Sequence, residues 1–159
     1  MPKVFIGAGS NADPKRALRR AATLLEQRFG AVRCSNVYRS AAVGGSAAPY
    51  LNLVLALSTE RDVDDVRDAL RAVEALAGRS RLDPAVCALD LDLLLYGSRV
   101  DATRRLPRPG LFTAPFVLGP LAEIAPELVH PVTGERCRAV WRAAEDDTLD
   151  DVGALSALD

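Results

Sequence analysis

The stretch Leu89-Asp90-Leu91-Asp92-Leu93-Leu94-Leu95-Tyr96-Gly97 constrains this chain more than any other. Side chains alternate along a strand, so Leu89, Leu91 and Leu93 fill one face while Asp90 and Asp92 share the other. Two carboxylates whose β-carbons lie about 6–7 Å apart repel each other, so a cation belongs between them: a metal, an arginine or lysine, or a shared proton. A rigid strand with two hard oxygen donors suits magnesium, which keeps several waters and takes one or two protein carboxylates plus substrate phosphates. The same alternation also describes a half-buried antiparallel strand whose polar face meets water, and only the flanking sequence separates the two.

With 159 residues, the chain has room for one domain with a proper core and too little for two. Hydrophobic content of 49%, charged content of 26% and a net charge of −1 make an ordinary soluble globular composition. No basic run or aromatic cluster points to nucleic acid. Met1 to Gly7 leads straight into an apolar strand without a signal-peptide pattern, and no apolar run approaches membrane length. The expectation is a cytoplasmic protein with neither membrane nor nucleic acid as a partner. Cys34, Cys87 and Cys137 are odd in number and widely spaced, which fits free thiols rather than disulfides or a zinc site.

In chain order, Lys3 to Ala8 reads as a buried strand closed by Gly7-Ala8-Gly9-Ser10-Asn11, whose small residues allow close approach of backbone or ligand. Asp13-Pro14 reads as an N-cap with proline at the first helical position, and Leu18, Ala21, Ala22, Leu25 and Phe29 recur at helical spacing down to Gly30. Ala31 to Ser40 and Tyr50 to Leu57 are strands, joined by the small uncharged loop Ala41 to Pro49. Asp62 caps a second helix with the stripe Val63, Val66, Leu70, Val73 and Ala77, stopped by Gly78. Glu74 sits near that helix's C-terminal end, where the dipole disfavours an acid, which hints at a partner or a ligand role. Arg79 and Arg81 open the loop before the acidic strand, a natural place to meet phosphate oxygens. Beyond Gly97, Arg104 to Pro109 is an extended, proline-fixed segment, and Phe116 to Ile124 and Cys137 to Ala144 read as helices. The lone histidine, His130, reads as structural or solvated, and no general base stands out. The succession predicts an α+β fold: a ferredoxin-like βαββαβ core with an antiparallel sheet and additional C-terminal helices, in α/β/α layers. One domain is expected over 1–144, with an acidic, frayed tail over 145–159.

Several segments together resemble the 6-hydroxymethyl-7,8-dihydropterin pyrophosphokinase family. They are Gly9-Ser10-Asn11, Tyr38-Arg39-Ser40 with Val43-Gly44, Tyr50-Leu51-Asn52, Glu74 with Gly78-Arg79, the Leu89 to Gly97 strand, and Phe116-Val117-Leu118 with Pro120 to Pro126. The resemblance implies transfer of the β,γ-diphosphate of ATP to the hydroxymethyl oxygen of a reduced pterin, releasing AMP, in folate or a related pterin route. It implies two Mg2+ ions at Asp90 and Asp92, and a pterin site made by Ser40, Val43, Tyr50, Asn52 and Phe116, with Phe116 stacking on the ring. By the same resemblance Glu74, Arg79, Arg81 and Arg108 attend the nucleotide, and the three arginines serve catalysis. Small-molecule substrates and a monomer are the partners and state it suggests.

The sequence also departs from the family. Pro84 to Ala88 stands where the family usually carries a Trp-Gly-Pro-Arg-Thr segment, so an aromatic lid and the arginine at position 87 are missing. Arg108 replaces a histidine, Ala114 replaces an arginine, and the loops at Ala41 to Pro49 and Arg79 to Cys87 are slightly short. These changes keep open an alternative, a non-catalytic paralogue that binds a pterin or nucleotide for regulation or partner binding.

Overall fold

Lys3–Ser10 forms strand β1, and its apolar residues diverge to two cores: Val4, Ile6 and Ala8 to one face, Phe5 to the other. In this computed structural model the described residues are 1–41, 48–77 and 88–158. Expectations on Val43, Arg79, Arg81, Gly78 and Cys87 lie outside them. The elements that follow are α1 (Pro14–Phe29), β2 (Arg33–Cys34), β3 (Asn36–Ser40), β4 (Tyr50–Ser58), α2 (Val63–Leu76), β5 (Asp90–Tyr96), α3 (Pro115–Ile124), α4 (Cys137–Ala144) and β6 (Asp150–Ala154).

The sheet order is β5-β1-β4-β3-β6, with the short β2 also on β4, and the pairings are antiparallel. Its first four members reproduce the ferredoxin-like arrangement expected of βαββαβ. On one face α1 supplies Leu18, Ala21 and Leu25, and α2 supplies Val63, Val66, Leu70 and Val73, against Leu51, Leu53, Leu55, Leu89, Leu91 and Leu93. On the opposite face Leu118, Leu121 and Ile124 of α3 and Cys137 of α4 cover Phe5, Val54, Ala56, Leu94 and Leu95. Both faces of β4 are therefore buried, which is why Tyr50–Ser58 is nearly continuously apolar. None of the helices among the described residues is long and apolar enough to cross a membrane.

Asp62 caps α2 as expected, its Oδ1 accepting from the Asp65 N–H at 2.9 Å. Asp13 does not cap α1 with its side chain; it takes a left-handed φ of 47° and turns the chain into Pro14 instead. The strand expected over Ala31 to Ser40 is broken at Ser35, whose hydroxyl accepts from the Val54 N–H at 2.9 Å. The expected frayed tail is the main correction. Asp150–Ala154 pairs with β3 as an edge strand, Leu155 is only 9% exposed against the α1 side of the core, and the Leu155 carbonyl accepts from Arg19 Nε at 3.3 Å. Backbone pairing and one apolar side chain outweigh the acidic, small-residue composition. His130 is structural, as read: its Nδ1 accepts from the Val132 and Thr133 N–H groups, both at 3.2 Å, and its ring meets Phe112 edge-on.

At Gly119 in α3, a β-carbon would stand 2.8 Å from Leu149 Cδ1 and 3.1 Å from the Trp141 ring, so a side chain there would press on both where α3, α4 and the following segment meet. Gly119→Ala is expected to cost about 1–3 kcal/mol in urea unfolding by overpacking. An unchanged midpoint would show that Leu149 swings away freely.

Candidate active site

The strand registers assemble the site. Gly9 of β1 pairs with Asp90 of β5 on one side and with Asn52 of β4 on the other, and Asn52 pairs in turn with Tyr38 of β3. Residues directly opposite in antiparallel strands point to the same face. Asp90, Gly9, Asn52 and Tyr38 thus form one row on the α3 face of the sheet, with Asp92 beside Gly7 one step along. Strands lie about 4.8 Å apart, so the acid strand and Asn52 are separated by about 10 Å, with only glycine between them. This makes a flat floor. At Gly9 a β-carbon would approach Asn52 Oδ1 to 3.0 Å, so any side chain there would crowd the amide, while Tyr50 Cδ1 at 3.7 Å lies in ordinary contact.

At the acidic end, Asp92 has its carboxyl pushed up to about 6, first by burial and then by the neighbouring Asp90 charge, with Arg108 pulling the other way. Arg108 Nη2 lies 3.4 Å from Asp92 Oδ1. It is delivered there by backbone: the Arg108 N–H donates to the Leu94 carbonyl at 2.9 Å, laying the segment after Leu106 along the outer edge of β5. The repulsion expected from Asp90 and Asp92 is thus present, and one arginine offsets it only in part. Among the described residues no third His, Cys, Asp or Glu joins them. Two carboxylates alone match a hard cation that takes its other ligands from water and phosphate, rather than a closed four-ligand zinc site.

At the other end, Asn52 is 6% exposed, and its Nδ2 donates to Ser40 Oγ at 2.8 Å and to the Tyr38 carbonyl at 3.3 Å. Those two acceptors hold the amide in one orientation. Tyr50 sits opposite Ser40 in the β3–β4 ladder. Phe116 lies in the first turn of α3 and is 47% exposed, an aromatic ring left without full packing at the rim of this face. The helix is braced by Glu123, which accepts from the Tyr38 hydroxyl at 2.6 Å and from the Asn36 N–H at 2.9 Å. Burial, then Glu123, raises the Tyr38 phenol further, so it stays protonated.

A family model described as 7,8-dihydro-6-hydroxymethylpterin-pyrophosphokinase matches residues 5–126. The chain belongs to this family. A relative named 2-amino-4-hydroxy-6-hydroxymethyldihydropteridine pyrophosphokinase, from Synechocystis sp., is 40% identical over 124 residues, which cover 70% of this chain and 64% of that one. Its namesake from Pseudomonas aeruginosa is 36% identical over 136 residues, 81% of this chain and 84% of that one. Among solved structures, a Plasmodium falciparum HPPK-DHPS triple mutant superposes with a TM-score of 0.73 at 11% identity, over 90% of this chain and 43% of that one, a likeness of fold. The match therefore spans just under two thirds of the Synechocystis relative and less than half of the Plasmodium chain.

Of the residues that the family resemblance singled out, Asp90, Asp92 and Arg108 come together at one end of the row, and Ser40, Tyr50 and Asn52 at the other. Phe116 stands on the same face. Glu74 does not join them there: it belongs to α2, on the opposite face, and its Oε2 accepts from the Leu91 N–H at 3.2 Å on the outer edge of β5. That backbone partner accounts for a carboxylate at an unfavourable helix end. Sequence reasoning missed Arg105, whose charge bears on Asp92, and read Gly7 and Gly9 as points of close approach without their place in this floor. The doublet Arg104-Arg105 so close to Arg108 was the available signal for the first; the second needed the register.

Proposed function

We propose that this chain transfers diphosphate from ATP to the hydroxymethyl oxygen of 6-hydroxymethyl-7,8-dihydropterin, releasing AMP, as a step of folate or related pterin biosynthesis. Family membership supports the activity. The single structural observation that carries it is the row Asp90–Gly9–Asn52, which sets a phosphate-handling end and a heterocycle-reading end on one flat floor.

Asn52, Ser40 and Tyr50 bind and orient the pterin, and Phe116 covers its face. Asp90 and Asp92 would hold two Mg2+ ions, which would supply charge neutralisation for the triphosphate. Arg108 leaves Asp92 for the phosphates, a short move for a side chain that holds its acid at 3.4 Å. By the family pattern Val43 joins the pterin site, and Arg79, Arg81 and, beside the same edge strand, Glu74 serve the nucleotide. A cytoplasmic monomer is the proposed setting, where ATP and reduced pterin are available.

The deciding assay follows AMP by chromatography when pure protein meets ATP, Mg2+ and the pterin. Stoichiometric AMP and pterin diphosphate are expected. Pterin binding with no AMP above the enzyme-free control would overturn the reading in favour of a binding paralogue.

A pH dependence follows from Asp92. Its carboxyl titrates near 6 in the ligand-free protein, so it must shed a proton before a divalent cation binds as pH falls through that value. Mg2+ affinity measured by calorimetry without nucleotide is expected to fall about tenfold per pH unit below about 6. The effect on stability has the opposite sense. A carboxyl raised in the folded state contributes stability that is fully present below its unfolded value of 3.8 and lost as pH rises through about 6, where Mg2+ replaces the proton. A flat affinity across this window would refute the coupling.

A further inference from the structure

We propose that Arg67, on α2, is a cation that contacts the nucleotide directly; this rests on the diphosphotransferase reading above and names a residue that no motif indicated. The setting is the outer edge of β5. Glu74 meets this edge at Leu91, and Arg67 lies seven residues earlier, two turns back on the same side of α2. Opposite stands the hairpin Asp101–Leu106, closed by Asp101 N–H to Leu106 carbonyl at 2.8 Å and the reciprocal bond at 2.9 Å. One guanidinium N–H of Arg67 donates to the Arg104 carbonyl, so hairpin and helix are joined at this point.

Three of the other arginines here are already committed. Arg104 is held by Asp64 at 3.0 Å and by Asp101 at 3.2 Å, Arg99 also uses Asp101 at 3.2 Å, and Arg108 leans on Asp92. Arg71, the next arginine along α2, is turned outward: its side chain is 75% exposed beside Asp68. Of the arginines on this wall, Arg67 alone is partly buried and, among the described residues, without an ion pair. Its charged state is disfavoured first by burial, with Asp64 working in its favour and Arg71, Arg108 and Arg104 against it. Arg105, held at a φ of 54°, adds one more positive charge near Asp92. Crowding like charges on a half-buried wall raises the free energy of the ligand-free protein. A side chain needed only to hold a carbonyl would not have to be charged, since an amide N–H does the same. A polyanion laid between α2 and the hairpin, with its phosphates at the acid pair, resolves the imbalance. Among the described residues one of the five N–H donors on Arg67 is engaged, which leaves four for it.

The test measures binding of magnesium α,β-methylene-ATP, by calorimetry at low and high salt, to the wild type, Arg67→Gln and Arg67→Lys. Glutamine is expected to weaken binding about tenfold or more, because a charge-assisted contact is lost, and to flatten the salt dependence. Lysine is expected to keep the wild-type salt dependence and most of the affinity, and pterin affinity is expected to change less than about twofold in both. Nucleotide affinity in Arg67→Gln within twofold of wild type, or an equal loss of both ligands with a lowered melting temperature, would overturn the proposal and leave Arg67 a structural brace. Should Arg67→Gln fail to fold, a lysine variant with a flattened salt dependence would overturn it equally. A wild type that forms no AMP fails the functional reading instead, a separate result.

Discussion

Asp90→Ala and Asp92→Ala are each expected to reduce AMP formation by on the order of a thousandfold while leaving the protein folded. In the proposed reaction these two acids place the divalent cations against the triphosphate, and among the described residues no third His, Cys, Asp or Glu joins them. Their cost to the fold is legible in the ligand-free state: burial and mutual repulsion hold Asp92 well above the usual carboxylate range. Removing either charge relieves that repulsion. Thermal unfolding without ligands should therefore show the variants at least as stable as the wild type, and Asp92→Asn, which keeps the volume, most clearly so. The pairing of lost turnover with retained or increased melting temperature is the signature of a strained functional pair. Activity within tenfold of wild type, or loss explained by unfolding, would contradict it.

Asn52→Ala is expected to weaken pterin binding by about 1–3 kcal/mol, some ten- to a hundredfold, and to leave nucleotide affinity nearly unchanged. The amide is buried, and its donor side is engaged by Ser40 Oγ and the Tyr38 carbonyl. That arrangement orients the side chain before any ligand arrives, so the proposed heterocycle site presents a prearranged edge. Truncation removes this edge and also strips Ser40 Oγ of its donor, which disturbs a second residue of the proposed pterin site. The nucleotide end lies two strands away, about 10 Å, across glycine. Fluorescence titration with a pterin and calorimetry with the ATP analogue separate the two effects. Equal losses would place Asn52 in the frame of the sheet rather than at the ligand.

Much of the architecture could be read locally because it is written in short periods. The bounds of α1 and α4, the Asp62 cap, and the strand carrying two acids follow from spacing within a few residues. Asp13 was misread because a cap residue and a left-handed turn residue draw on the same short polar side chains, and Pro14 is compatible with either. The tail was misread because composition reports whether a segment can make a core alone, not whether an existing sheet edge will accept it.

By itself, the sequence determined which faces are apolar, where the acid pair lies, and which family supplies the comparison, since each depends on residues close together or on a pattern spread in order along the chain. Tertiary structure alone decided that Gly9 stands between Asp90 and Asn52, that the Asp101–Leu106 hairpin docks on Arg67, and that β6 closes the sheet beside β3. Those pairings join positions tens of residues apart. Their energies arise only once the strands are in register and the helices packed, and no local spacing encodes them.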